Sequence, residues 1–241
     1  MERRNVLKAG MVLMATSVAA SIFRPAGAAL RVLNGGNKWL AKETLPPKPV
    51  DASKRMFLTD KEVAQVTAVF DRLIPADDIS VSASEAGCVV FLDHQLAGPY
   101  GQGTWRYRKG PAEKGSPTQG DQSLLDPAEL YRTGLGELDS YCRANLGKPF
   151  EALDAAQQDA LLEQMEAGKI QLGSIPSNRL FAQLLTNVQE GFFADPIYGG
   201  NKDMAGWKMV GFPGARYDYR DYVNLKGQKL NIIPVSLIGR I

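Results

Sequence analysis

Helix-start signals recur along this chain, and each is followed by apolar residues at helical spacing. Thr59-Asp60-Lys61-Glu62 is a capping box, in which the threonine hydroxyl and the glutamate carboxylate satisfy backbone N–H groups that a first helical turn leaves free. Val63, Val66, Phe70 and Leu73 follow it, and Pro75 stops the run. Ser82-Ala83-Ser84-Glu85 repeats the device and predicts a helix with Val89, Leu92 and Leu96 inward, closed by Gly98-Pro99. Asp126-Pro127-Ala128-Glu129 sets proline at the first helical position, where its missing N–H costs little. Tyr131, Leu135, Leu138 and Cys142 share that helix's face before Gly147. A shorter helix follows Asp154, with Leu161, Leu162 and Met165 apolar and Gly168 at its end. The last runs over residues 177–191, striped by Phe181, Leu184, Leu185 and Val188. No stretch sustains two-residue alternation. The expected fold class is all-α, an irregular helical domain of about five main helices with long loops.

Those loops are rich in aromatic residues, glycine and proline. Residues 98–123 hold Tyr100, Trp105, Arg106, Tyr107, Arg108 and Lys109. Residues 192–222 are richer still, with Phe192, Phe193, Tyr198, Trp207, Phe212, Tyr217, Tyr219 and Tyr222 among repeated Gly and Pro. Loops of this length inside a compact domain are uncommon and usually functional. Aromatic residues held by Gly and Pro make shaped surfaces of the kind that interfaces bury.

The N-terminus reads as an export leader. Met1-Glu2-Arg3-Arg4-Asn5-Val6-Leu7-Lys8 is a twin-arginine signal, with Arg3, Arg4, Leu7 and Lys8 as its recognition residues. An apolar run over residues 9–23 follows, and Ala26-Gly27-Ala28 offers small residues for a signal peptidase. The run is short of the roughly 20 residues that span a bilayer, so cleavage after Ala28 is expected rather than anchoring. This route carries folded cargo. The chain has 28 basic and 26 acidic residues; the leader takes four of the former and one of the latter, leaving 24 against 25. A nearly neutral mature protein has no electrostatic case for nucleic-acid binding. Residues 29–56, with Gly35-Gly36 and Pro46-Pro47-Lys48-Pro49, read as an extended linker.

Chemistry-bearing residues are few. Cys88 and Cys142, in an oxidising compartment, leave three states open: an internal disulfide, two buried thiols, or a bond to another chain. One histidine, His94, sits inside a predicted helix, which leaves no ordinary Ser-His-Asp or Cys-His arrangement unless it serves. Two cysteines 54 positions apart with one histidine are too few for zinc or an iron–sulfur cluster, and no haem-attachment motif is present. Asp77-Asp78 and Asp195 could pair as acid and base, but the former reads better as a turn. Tyr198-Gly199-Gly200-Asn201 could bond a sugar, though a tight turn accounts for it as well. The reading is a chain with no active site, cofactor site or metal site of its own. The alternatives are a stand-alone periplasmic sugar-active enzyme using Asp93 and Asp195, and a sugar-binding module.

The second aromatic loop carries a resemblance. Phe192-Phe193-Ala194-Asp195-Pro196-Ile197-Tyr198-Gly199-Gly200-Asn201-Lys202-Asp203-Met204-Ala205-Gly206-Trp207-Lys208-Met209-Val210-Gly211-Phe212-Pro213-Gly214-Ala215 closely resembles the hallmark of the gluconate 2-dehydrogenase subunit 3 family. The segments 57–75 and 91–101 fit it too, so the likeness spans residues 57–222, ahead of a C-terminal tail over 223–241 expected to contact a partner. The resemblance implies a small subunit of a periplasmic or membrane-associated dehydrogenase that oxidises gluconate or a related sugar, sugar acid or polyol. Its implied partners are a large FAD-containing flavoprotein of the glucose-methanol-choline type and a multihaem cytochrome c, with haem c in the latter. It further implies that the small subunit carries the export signal through the twin-arginine translocase and helps the flavoprotein mature, the complex then lying in the periplasm against the inner membrane. The family brings no catalytic residues to carry over. The docking surface expected from the two aromatic loops comprises Tyr100, Trp105, Tyr107, Phe193, Asp195, Pro196, Tyr198, Asn201, Trp207, Phe212 and Pro213.

Overall fold

The computed structural model describes residues 48–104, 115–119 and 123–238. The leader with Arg3, Arg4, Leu7 and Lys8, most of the linker, and Trp105 and Tyr107 lie outside the described residues. Six α-helices are present among the described residues: α1 (Asp60–Leu73), α2 (Cys88–Ala97), α3 (Pro127–Leu146), α4 (Ala155–Glu166), α5 (Ser177–Phe193) and α6 (Ala205–Val210). Strand pairing there is limited to two isolated bridges, Gln171 with Pro176 and Gly214 with Val235. The fold is all-α. No helix among the described residues is long and apolar enough to cross a membrane.

Capping explains where the long helices begin. Thr59 and Glu62 form the reciprocal box ahead of α1, Asp126 and Glu129 the one ahead of α3, and Asp154 and Gln157 the one ahead of α4. Gly147, at φ 72°, ends α3 in the left-handed conformation that glycine adopts freely.

The Ser82–Glu85 box forms as well, with Ser82 N–H donating to Glu85 at 2.9 Å, yet it starts only a single turn. Gly87 turns left-handed at φ 83°, its N–H bonds Ser84 C=O, and Cys88 N–H bonds Ala83 C=O. That pairing is a Schellman closure, so the turn is sealed and α2 starts afresh at Cys88. Gly87 is required twice over, because a Cβ there would also stand 2.4 Å from Gly199 O.

α5 is the central helix, and α1, α2, α3, α4 and α6 all pack against it. The core is filled by Phe70, Leu92, Tyr131, Leu135, Phe150, Met165, Leu180, Leu184 and Phe192, all essentially without solvent contact. Burying each such side chain stabilises the fold by about 2 kcal/mol. Where α3 crosses α5, Gly134 lets Leu180 approach to a distance that a Cβ would block. Polar ties reinforce the packing: Arg72 of α1 grips Asp159 of α4 through two bonds of 2.6 and 2.7 Å. Lys61 of α1 donates to Asp139 of α3 at 2.6 Å, and Arg132 of α3 pairs with Glu62 while lying 4.3 Å above the Phe57 ring.

Cys88 and Cys142 are free, buried thiols rather than a disulfide. One opens α2 and the other lies near the end of α3, both buried within the same core cluster. Burial pushes the Cys88 thiol up to about 12, with the nearby Asp71 carboxylate adding to the effect. Burial does the same to Cys142, again to about 12, seconded by Asp139.

Candidate functional site

Three of the acidic residues considered as catalysts, Asp93, Asp195 and Asp77, have carboxylates that accept backbone N–H groups. Asp93 is buried in α2 and accepts the N–H groups of Met56, Phe57 and Leu58 at 2.6, 2.9 and 2.7 Å. It is a clasp for the chain as it enters the fold. Asp195 accepts Ile197 N–H at 3.0 Å, capping a short helical turn, and Leu237 N–H at 2.8 Å. Asp77 accepts the N–H groups of Ile79 and Ser80 at 2.8 Å, an ordinary Asx turn. His94 is half-buried, and its Nε2 has no hydrogen-bond partner among the described residues. No group of three metal-ligating side chains occurs among the described residues. Both carboxylates of the stand-alone enzyme reading, Asp93 and Asp195, are engaged by backbone N–H groups.

The hallmark loop after α5 is built from within. Asn201 is fully buried in a left-handed conformation (φ 47°), its Nδ2 donating to Ala194 O and its Oδ1 accepting Gly206 N–H, both at 2.8 Å. Asp203 and Met204 also have positive φ, a backbone that non-glycine residues hold only when surroundings impose it. Those surroundings are visible. Lys202 N–H bonds Ala86 O at 2.9 Å, and the Met204 side chain is buried. A Cβ on Gly206 would stand 2.2 Å from Phe192 O, so only glycine lets α6 lie this close to α5. Trp207 is 6 % exposed; its indole N–H donates to Phe193 O at 2.8 Å and its ring meets Phe212 edge-on at 5.2 Å.

The expected docking residues thus divide by burial. Asn201, Pro196 and Trp207 are buried and set the loop's shape. Phe193, Tyr198 (46 % exposed) and Phe212 (47 %) face outward. Pro213 is half-buried and Asp195 is bonded as above. Tyr100 is separate from this group. Its hydroxyl accepts from Gln183 at 2.8 Å and Asn187 at 2.7 Å, within a part-buried network that also takes in Tyr131 and Glu190. Tyr100 therefore steadies α5.

The exposed apolar surface extends from the hallmark loop into the tail over 223–238, which was expected to contact a partner. Among the described residues, eleven of the sixteen exposed large apolar side chains fall between Phe193 and Leu237, including Met209, Val210, Val223 and Ile233. The tail returns to the loop, with Ala215 N–H bonding Val235 O at 2.7 Å and Val235 N–H bonding Pro213 O at 3.3 Å. Between residues 207–212 and 229–234 lies an open groove of about 510 Å³. Patches of this kind on a folded chain mark interaction surfaces.

The loop is a rigid frame under outward aromatic and aliphatic side chains. Comparison with curated proteins returned no match, and comparison with solved structures returned none either. A family model described as gluconate 2-dehydrogenase subunit 3 matches residues 60–214, from the first turn of α1 through the hallmark loop. The chain belongs to the gluconate 2-dehydrogenase subunit 3 family.

Proposed function

We propose that this chain is the non-catalytic small subunit of a periplasmic, membrane-associated flavin-dependent dehydrogenase acting on gluconate or a related sugar, sugar acid or polyol. It binds the folded, FAD-loaded large subunit, aids its maturation, and supplies the twin-arginine signal that takes both through the translocase. A multihaem cytochrome c completes the complex. FAD and haem c belong to those partners; this chain holds no cofactor. Membership of a subunit 3 family supports the existence of partner subunits. The observation that carries the reading is the aromatic surface of Phe193, Tyr198 and Phe212, held outward by buried Trp207 and Asn201. The carboxylates of Asp93 and Asp195 are engaged by the chain's own backbone, which favours a contact role over a reactive one.

Co-expression with the large subunit tests it. With Arg3 and Arg4 both replaced by lysine, the large subunit stays in the cytoplasm; normal periplasmic amounts would refute the export role. With Tyr198→Ala and Phe212→Ala, the complex loosens by about 2 kcal/mol per side chain, the scale of interface aromatics. Co-purification as efficient as the wild type would remove this surface from the interface.

A further inference from the structure

The segment 229–234 has alternating burial and no backbone partner along most of its length. Its side chains alternate: Lys229, Asn231 and Ile233 are exposed, while Leu230 and Ile232 are half-buried and Pro234 is buried. A period of two is the signature of extended chain with one face on a core. A bridge at Val235 to Gly214 pins one end. Among the described residues, however, the backbone N–H and C=O groups of residues 229–232 make no hydrogen bond, and Ile233 C=O receives only an Arg216 guanidinium contact at 3.3 Å. A row of unpaired backbone groups is a template for another strand. It borders the 510 Å³ groove whose opposite wall is formed by residues 207–212. Among the described residues, the charges lining that groove are Lys208 and Lys229, both exposed, against Met209, Val210, Phe212 and Ile232 as apolar lining. The acidic residues nearest to them in sequence, Asp203 and Asp221, do not line the groove, and Asp218 is gripped by Arg220.

We infer that residues 229–233 accept an extended segment of the large subunit as an added β-strand, apolar on the face toward the groove and carrying carboxylates that meet Lys208 and Lys229. Backbone pairing supplies the affinity and the groove selects alternate side chains. The strand lies beyond the family-matched residues 60–214, so this contact is a feature of this chain's own tail. The inference rests on the proposed docking role and specifies which part of the partner is recognised and by what chemistry.

The test uses the full chain and the purified large subunit. Asn231→Pro removes an N–H and obstructs a ladder, whereas Asn231→Ala keeps the donor. Residue 231 is exposed and unbonded, so both variants melt as the wild type does. Asn231→Pro weakens binding at least about tenfold while Asn231→Ala stays within about twofold, and backbone amides of residues 229–233 exchange more slowly in the complex. Lys208→Glu with Lys229→Glu weakens it further in low salt than in high salt. If Asn231→Pro binds like the wild type and those amides exchange at the free rate, strand addition is wrong while the docking role stands. If wild-type chain does not bind the large subunit at all, the docking role fails and this inference with it. Protection of the same amides by anionic phospholipid vesicles, without the large subunit, would assign the strand to a membrane surface and overturn the proposal.

Discussion

Trp207 lies beneath Phe212 and reaches across to the carbonyl of Phe193, so a single side chain holds together the end of α5, the start of α6 and the outward aromatic surface. Trp207→Ala leaves a cavity under the loop and an unpaired carbonyl, a loss of about 3–5 kcal/mol measurable by denaturant unfolding of the isolated chain. A stability within about 0.5 kcal/mol of wild type would show that the loop does not depend on it. The cysteines make a second prediction at this scale. With both thiols pushed up to about 12, thiolate is scarce at pH 8, and a disulfide-exchange reagent finds nothing in the native chain. Unfolding without reductant then releases two thiols per chain. A count below two would mean that one is bonded.

At the level of elements, the caps were readable and the reason is local. Thr59, Asp126 and Asp154 act within one turn of themselves, so their effect depends on three neighbours and little else. The Ser82 box was just as readable, but Gly87 two residues beyond it closes the turn, and that depends on the approach of Gly199 from more than a hundred residues away. Gly87→Ala should accordingly cost about 3 kcal/mol, from both the left-handed backbone and the clash with Gly199 O. Chemical unfolding of the variant checks this, and a loss under about 1 kcal/mol would mean that the loop moves aside freely. α6 was illegible for the opposite reason: six residues are too few to show a period, and Gly206, Trp207 and the positive-φ entry through Met204 make it a helix only in contact with α5. Asp93 escaped as well, because a carboxylate inside an apolar helical face looks the same in sequence whether it meets solvent, substrate or three amides. The exposed surface was inferred from its aromatic residues, but burial, which no spacing reveals, decides that Tyr198 faces out and Trp207 does not.

For the molecule as a whole, acid should be the weakness. Burial works to raise Asp139, yet hydrogen bonds from Lys61 and Arg143 outweigh it and hold the carboxyl below its ordinary 3.8. Asp159 is lowered by the Arg72 guanidinium. A folded-state value below the unfolded one contributes stability above the ordinary carboxylate range, and that contribution is lost as pH falls from about 4 through the depressed value. Unfolding free energy should therefore drop between neutral pH and pH 3, and Asp139→Asn should flatten that drop; an unaltered slope would show that the α1–α3 tie is not sensed. The Asp93 clasp and the bond from Val50 N–H to Ile197 O at 3.0 Å have a mechanical consequence. Any tension applied to the chain ahead of residue 48 meets these fasteners in series, first Val50 on the hallmark loop and then Met56, Phe57 and Leu58 on α2, before it reaches a helix. The N-terminal end can thus be tugged hard enough to peel a few residues free while the helical body, and whatever is seated on it, stays whole.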